Sequence, residues 1–393
     1  MERKLWDRKL RDALDLYSSE VVALSQEMVR IPSISGEEEK LALFVAGKLK
    51  EYGLEVTVDE VLPGRPNVYG VLRGKIGKPI LMYNGHTDVV PPGEGWTDDP
   101  YSGVLRAGRI FGRGSADMKG PLASMMIAAK ALKGAGVELR GNLVITAVIA
   151  EEENQMGTRR VVDGPIKGEF AIVGEPTRLN VCTAHKGDVA YEITTIGKAV
   201  HASVLHEGIN AIYKMKEVID SIEKFAVELE KRKRHPLLGP STISVGTIEG
   251  GTIPAAVPAF CKIKLDRRLL PGEDAETGKK ELESLIDSLK ERDPDLVADV
   301  RTIVEVPPME TRQDHAIVRT IREVVLEVTG RDPGIEGVPY TTDGAILVKK
   351  GIPTVIFGPG DIKQAHQPDE WISVDEMVTA TRIYAQTALQ LLS

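Results

Sequence analysis

The stretch LMYNGHTDVVPPGEGW, residues 81–96, decides the reading of this chain. An apolar run of the kind that fills a buried strand stops at Asn84-Gly85, presents His86 and Asp88 one residue apart, and breaks into a Pro/Gly loop. Similar short apolar runs recur at residues 79–84, 143–150, 171–174 and 353–357. Between them lie segments whose apolar residues return every three or four positions, at residues 37–53, 118–136 and 374–392. Strands alternating with amphipathic helices predict an α/β domain.

Residues 188–303 have a different texture. Alternating strands (VAYEITTIGK, FCKIKLDRR) and two charged amphipathic helices (residues 209–232 and 275–293) predict an α+β module inserted into the α/β domain. The expected organisation is therefore a discontinuous domain of residues 1–187 and 304–393, with 188–303 inserted and hinges near 186–189 and 303–307.

Composition excludes several functional classes. A net charge of −8 over 393 residues carries no basic footprint for nucleic acid or an anionic membrane. The basic stretch KRKRHPLLGP, residues 231–240, reads as a solvated helix end and loop. No run approaches the roughly 18 apolar residues of a membrane span, and the N-terminal segment lacks the apolar core of a secretory signal. The two cysteines, Cys182 and Cys261, stand far apart and form no C-x-x-C, so a cytoplasmic setting is expected.

The chemistry sits where strands end. In open α/β sheets ligands bind beyond the carboxyl ends of strands, and here His86, the acidic run Glu151-Glu152-Glu153, Glu175 and His366 each follow a separate strand. Asp117 joins them from a Gly-rich loop that opens a helix. Imidazole and carboxylate without thiolate suit Zn, Co or Mn. The donors exceed the three protein ligands of a single catalytic zinc, which favours two ions sharing one carboxylate at about 3.5–4 Å separation. No H-E-x-x-H, G-x-S-x-G or Walker loop competes with this reading.

The motifs GHTDVVPPG, GRGSADMKG, EEENQMG, VGEPT, GKAVHAS, DRRLLPGED, and FGPG followed by AHQPDE run in this order along the chain. In order and spacing they resemble the dinuclear-zinc aminoacylase and carboxypeptidase family that contains acetylornithine deacetylase and succinyl-diaminopimelate desuccinylase. The resemblance spans about residues 20 to 390. It implies a zinc-peptidase-like mixed sheet with helices on both faces, and an inserted domain that acts as lid and dimer contact.

The resemblance also implies roles. Asp117 would bridge two divalent ions, zinc foremost with cobalt or manganese as alternatives; His86 and Glu175 would complete one site, Glu152 and His366 the other. Asp88 would orient the His86 ring. Glu151 would be the general base that takes a proton from water and returns it to the departing amine. Relatives usually read Asp-Glu-Glu where this chain reads Glu151-Glu152-Glu153, so a one-residue slip making Glu152 the base and Glu153 the ligand stays open. His201 is either an ordinary strand-end histidine or the group that reaches a partner protomer's site to stabilise an oxyanion. Arg268 is either a surface salt-bridge residue or the clamp for a substrate carboxylate. The implied reaction is hydrolysis of an N-acyl amino acid such as acetylornithine by a homodimer. Alternatives are a desuccinylase or lysine-pathway deacylase, then a carboxypeptidase or dipeptidase acting on short peptides. A non-catalytic binding relative would be expected to have lost ligands, and every ligand position is filled.

Overall fold

In a computed structural model, which describes residues 2–232 and 234–393, the chain packs into two compact units. The first comprises Met1–Thr183, Glu310–Glu336 and Thr342–Ser393, the second Ala184–Met309 with Gly337–Thr341. Lys233, within the basic stretch 231–240, lies outside the described residues.

The first unit is built on a mixed sheet. Its strands run in the order Glu55–Leu62, Arg65–Leu72, Asn142–Val148, Ile80–His86, Phe170–Val173 and Thr354–Ile356, continuing through Cys182–His185. The central four are mutually parallel, and the flanking pairings are antiparallel. Successive side chains of a strand point to opposite faces, and both faces here are apolar. Leu81 and Tyr83 join the core formed with helices Gly120–Gly134, Ala316–Thr329 and Val374–Leu392. Met82, between them in sequence, packs on the opposite face with Val161, Val162, Ile346 and Leu347 from helices Met156–Asp163 and Gly344–Lys349. Helices thus cover both faces of the sheet.

Gly157 marks a close approach. A Cβ there would lie 2.5 Å from the Ile149 carbonyl oxygen and 2.6 Å from the Ile149 nitrogen. Asn67 locks the same place, donating to the Gly157 carbonyl at 2.9 Å and accepting the Ile149 N–H at 3.1 Å. Because the obstacles are backbone, Gly157→Ala is expected to destabilise the fold by about 1–3 kcal/mol. Urea titration would register a lower midpoint at unchanged m; an unaltered midpoint would mean that this junction yields easily.

The second unit is an antiparallel sheet in the order Thr242–Gly250, Phe260–Leu269, Gly187–Ile196, Val297–Val306. Alternate residues Val189, Tyr191 and Ile193 and, on the neighbouring strand, Cys261, Ile263 and Leu265 face helices Ala211–Lys231 and Ala275–Lys290. The first helix answers with Met215, Val218, Ile222, Phe225 and Leu229, three or four residues apart, as one apolar stripe. Asn210 and Asp274 cap the two helices by accepting main-chain N–H groups of their first turns. The outer strands, Thr242–Gly250 and Val297–Val306, were not among the expected elements. Both are mostly exposed edge strands, in which the alternation of Ile243 with Val245 and of Val300 with Val304 and Val306 is short and buries few side chains.

Candidate metal centre

Because strands Asn142–Val148, Ile80–His86, Phe170–Val173 and Thr354–Ile356 are adjacent and parallel, their carboxyl ends open on one edge of the sheet. His86 closes its strand, Glu151 and Glu152 follow Val148, and Glu175 follows Val173. His366 returns in the segment after Ile356 and its turn. Asp117 arrives from the loop before helix Gly120–Gly134. That loop turns at Gly114, with φ of 81°, where a Cβ would lie 2.6 Å from Val89 Cγ1.

Asp117 faces two ways. Its Oδ1 lies 2.9 Å from His86 Nε2, and its Oδ2 lies 3.5 Å from His366 Nε2. Each imidazole has a second carboxylate: Glu175 Oε1 is 3.8 Å from His86 Nε2, and Glu152 is 3.0 Å from His366 Nε2. One aspartate therefore stands between two imidazole–carboxylate pairs. Donor atoms of His86, Asp117 and Glu152 all fall within 4.8 Å of one another, a grouping able to hold a metal ion.

The His86 ring is oriented by Asp88 through the main chain. Its Nδ1 hydrogen-bonds the Asp88 carbonyl oxygen at 2.8 Å, whereas the Asp88 carboxylate stays 3.7 Å from the ring nitrogen. That carbonyl can only accept, so Nδ1 carries a proton and Nε2 is left facing Asp117, where it donates when the ring is protonated and offers a lone pair to a cation when the ring is neutral. The buried carboxylate of Asp88 serves the next strand end instead. It accepts the Glu151 N–H at 3.1 Å, the Glu152 N–H at 3.2 Å and the Ser35 hydroxyl at 2.8 Å.

Electrostatics fit a cation-binding role. Burial, reinforced by Asp117, Glu152 and Asp343, holds Glu175 well above the ordinary carboxylate range, and its Oε1 has no hydrogen-bond partner among the described residues. Burial likewise raises Glu151, with Glu175, Asp343 and Glu152 adding to it against the pull of His86. Burial alone would depress His86, but its hydrogen bond to Asp117 and the charges of Asp117, Glu175 and Asp88 outweigh that and carry it well above the imidazole range. Buried carboxylates crowded in this way repel one another unless protonated or neutralised by a cation. Two imidazoles and several carboxylates are a donor set that suits borderline divalent metals.

Within the acidic run, Glu152 is turned to His366, while exposed Glu153 pairs with Arg65 at 3.1 Å. Arg65 is in turn held by buried Glu38. His201 and Arg268 belong to the second unit. His201 is exposed; its Nδ1 lies 2.8 Å from the Ser203 hydroxyl and accepts the Ser203 N–H at 3.2 Å, which leaves Nε2 as the donor nitrogen. Arg268 is engaged by Asp266 at 3.0 Å and Asp188 at 3.2 Å, in keeping with the salt-bridge alternative.

Several buried polar residues around the centre were not singled out for roles from sequence. Asp343, 1% exposed, has neither carboxylate oxygen in a well-formed hydrogen bond; burial pushes it up to about 7, with Thr158 opposing. Lys119 is buried against the Ile31 carbonyl at 2.8 Å, and burial brings its ammonium down to about 7. Arg113 and Glu370 form a buried ion pair at 2.7 Å. The quoted motifs contain Arg113, Lys119 and Glu370, but spacing along a chain does not tell which loop a side chain will turn back to.

Residues 82–390 match the model of a protein family described as peptidase family M20/M25/M40. Acetylornithine deacetylase of Photorhabdus laumondii subsp. laumondii is 32% identical over 379 residues, covering 93% of this chain and 95% of that protein. Among solved structures, aminopeptidase PepT from Bacillus cereus superposes with a TM-score of 0.79 at 21% identity, over 95% of this chain and 98% of that one. A Bacillus subtilis protein described as a dinuclear metal binding peptidase of the M20 family gives a TM-score of 0.74 at 16% identity, over 96% and 99% of the two chains.

Proposed function

The chain belongs to peptidase family M20/M25/M40 and is an amidohydrolase, and from that premise we propose that it removes the acyl group from the nitrogen of an amino acid at a centre of two divalent ions. The observation that carries this reading is the placement of Asp117, with one oxygen toward His86 and Glu175 and the other toward His366 and Glu152. His86, Asp117 and Glu175 would hold one ion and Asp117, Glu152 and His366 the other, zinc being the foremost candidate. When bound, the ions supply Lewis acidity, polarising an amide carbonyl and lowering the pKa of a water from near 15.7 toward about 7.

Glu151 is the base in this reading. It adjoins ligand Glu152, its N–H is fixed by Asp88, and its neighbours Glu175 and Asp343 raise its proton affinity. A carboxylate so placed takes a proton from the attacking water and delivers it to the leaving amine nitrogen. His201 of one protomer donates its Nε2 proton to the developing oxyanion in the site of its partner. Arg268 exchanges its aspartates for the α-carboxylate of the substrate, a bidentate acceptor. This reading assigns the dimer contact to the second unit, where the exposure of Leu205, Tyr213, Ile248 and Ile253 supports it.

Acetylornithine or a related N-acyl diamino acid leads as substrate, supported by the likeness to acetylornithine deacetylase over nearly the whole chain. The experiment is a kinetic screen of protein loaded with Zn, Co or Mn against N-acetyl amino acids, N-succinyl diamino acids and short peptides. Preference for the first group bears the proposal out, preference for either of the others redirects it, and no turnover by any metal form sinks it.

His201→Ala is expected to lower kcat by about 10²–10³-fold, as loss of an oxyanion donor does, with a smaller change in KM. Mixing it with inactive Glu151→Gln protein should recover part of the activity if a site draws on both protomers. Unchanged kcat would return His201 to a structural role, and complete failure of rescue would point to a self-contained protomer.

A further inference from the structure

We propose that Glu370 is a positioning residue that sets the orientation of Asp117 and ties it to the segment carrying His366, so that both ion sites are assembled together. Glu370 is 1% exposed, and its carboxylate is filled by donors from a single loop. Oε2 accepts from Arg113 Nη1 at 2.7 Å and from the Gly114 N–H at 3.0 Å. Oε1 accepts from the Ala116 N–H at 2.8 Å and from the Asp117 N–H itself at 3.1 Å. A carboxylate that receives both a guanidinium and three successive-turn amides fixes the loop's rotation as well as its position.

The tie runs in the other direction too. The Gly112 N–H donates to the Glu370 carbonyl at 2.9 Å, and Arg113 also donates to the carbonyls of Gln367 at 3.3 Å and Pro92 at 3.1 Å. Asp369, beside Glu370, accepts from the Thr97 N–H and hydroxyl at 2.8 and 2.7 Å. Strand Trp371–Ser373 then pairs with Arg109–Phe111. Three segments, those bearing Asp117, His366 and the loop after Asp88, are thus cross-tied beneath the site, with the Arg113–Glu370 pair at the crossing. Burying a carboxylate close to Asp117 is unfavourable unless every lone pair is engaged, and here the engaged donors belong to the residues that need orienting.

Glu370→Gln keeps the shape but presents an amide N–H₂ to groups that can only donate. Outer groups that orient metal ligands typically contribute 10–100-fold to metal affinity, and a loss of that size is expected. The inference rests on Asp117 being the shared ligand, and the test separates the two claims. Chelator-stripped wild type, Glu370→Gln and Glu370→Asp would be titrated with Co²⁺ against a chromophoric chelator, with visible Co²⁺ spectra and thermal melts of the metal-free proteins recorded in parallel. Glu370→Asp, which retains charge for Arg113, guards against a Gln variant that does not fold.

The expected result is metal affinity lowered 10–100-fold and an altered Co²⁺ spectrum, less so in Glu370→Asp. Wild-type affinity and spectrum in either folded variant, even with a lowered melting temperature, would overturn the positioning role and leave the function reading intact. Failure of wild type itself to bind two ions would instead strike at the shared-ligand reading of Asp117.

Discussion

Glu151→Gln protein is expected to retain its full complement of divalent ions while kcat falls by about 10²–10⁴-fold, the range a positioned general base contributes. The asymmetry follows from the geometry. Glu151 takes no part in the close contacts among His86, Asp117, Glu152 and His366, so its charge can be removed without opening either ion site. Its main-chain N–H is held by Asp88, and that hydrogen bond survives the substitution. Elemental analysis of the purified variant beside its steady-state rate makes the comparison. Retained turnover would move the base to another residue, and loss of metal would make Glu151 a ligand and reopen the register of the acidic run.

Asp117→Asn should have the opposite signature. The amide offers one weak acceptor oxygen where the carboxylate presents a charged oxygen to each imidazole, so both ion sites are expected to fail together. Several kcal/mol of transition-state stabilisation depend on the ions, which at about 1.4 kcal/mol per tenfold gives roughly 10²–10³-fold or more in rate. The same substitution removes one negative charge from a crowd in which Asp117 raises Glu152, Glu175 and Glu370. Against that relief stands the loss of the His86 hydrogen bond, which holds Asp117 below the ordinary carboxylate range despite its burial, so the diagnostic is the gain in melting temperature on adding Zn²⁺ or Co²⁺, which is expected to disappear, since only a bound ligand shifts the folding equilibrium. A variant still stabilised by metal as wild type is would mean that the ions do not share Asp117.

These two substitutions divide the centre into groups that hold ions and a group that moves a proton. Which groups gather at one edge was legible in the sequence, because strand periodicity locates strand ends and parallel α/β topology brings those ends together, whereas the roles of ligand and base were implied only by the family resemblance. The strand boundaries were less legible. The expected strand at residues 143–150 ends in the structure at Val148, and Ile149 and Ala150, still apolar and buried, already lead into the turn that presents Glu151. Apolar character reports burial, and burial outlasts the strand.

The exposed outer strands of the second unit escaped for the converse reason. Thr242–Gly250 and Val297–Val306 bury little, so hydrogen bonding to a neighbour, which leaves no mark on side-chain pattern, is what makes them strands.

The sequence by itself determined which groups are available and which edge of the sheet they reach. The order of strands and helices, the imidazole and carboxylate at each strand end, and the absence of a rival nucleophile motif are local or periodic properties, and a chain expresses them wherever it folds. Tertiary structure alone decided how the groups face one another. That Asp117 splits its oxygens between two histidines, that the Asp88 carboxylate fixes the Glu151–Glu152 turn, and that Glu370 gathers the donors of residues 113–117 are all long-range facts. Hydrogen bonds and ion pairs between distant loops depend on ångström-scale distance and angle, which are set only after apolar burial has brought the segments together.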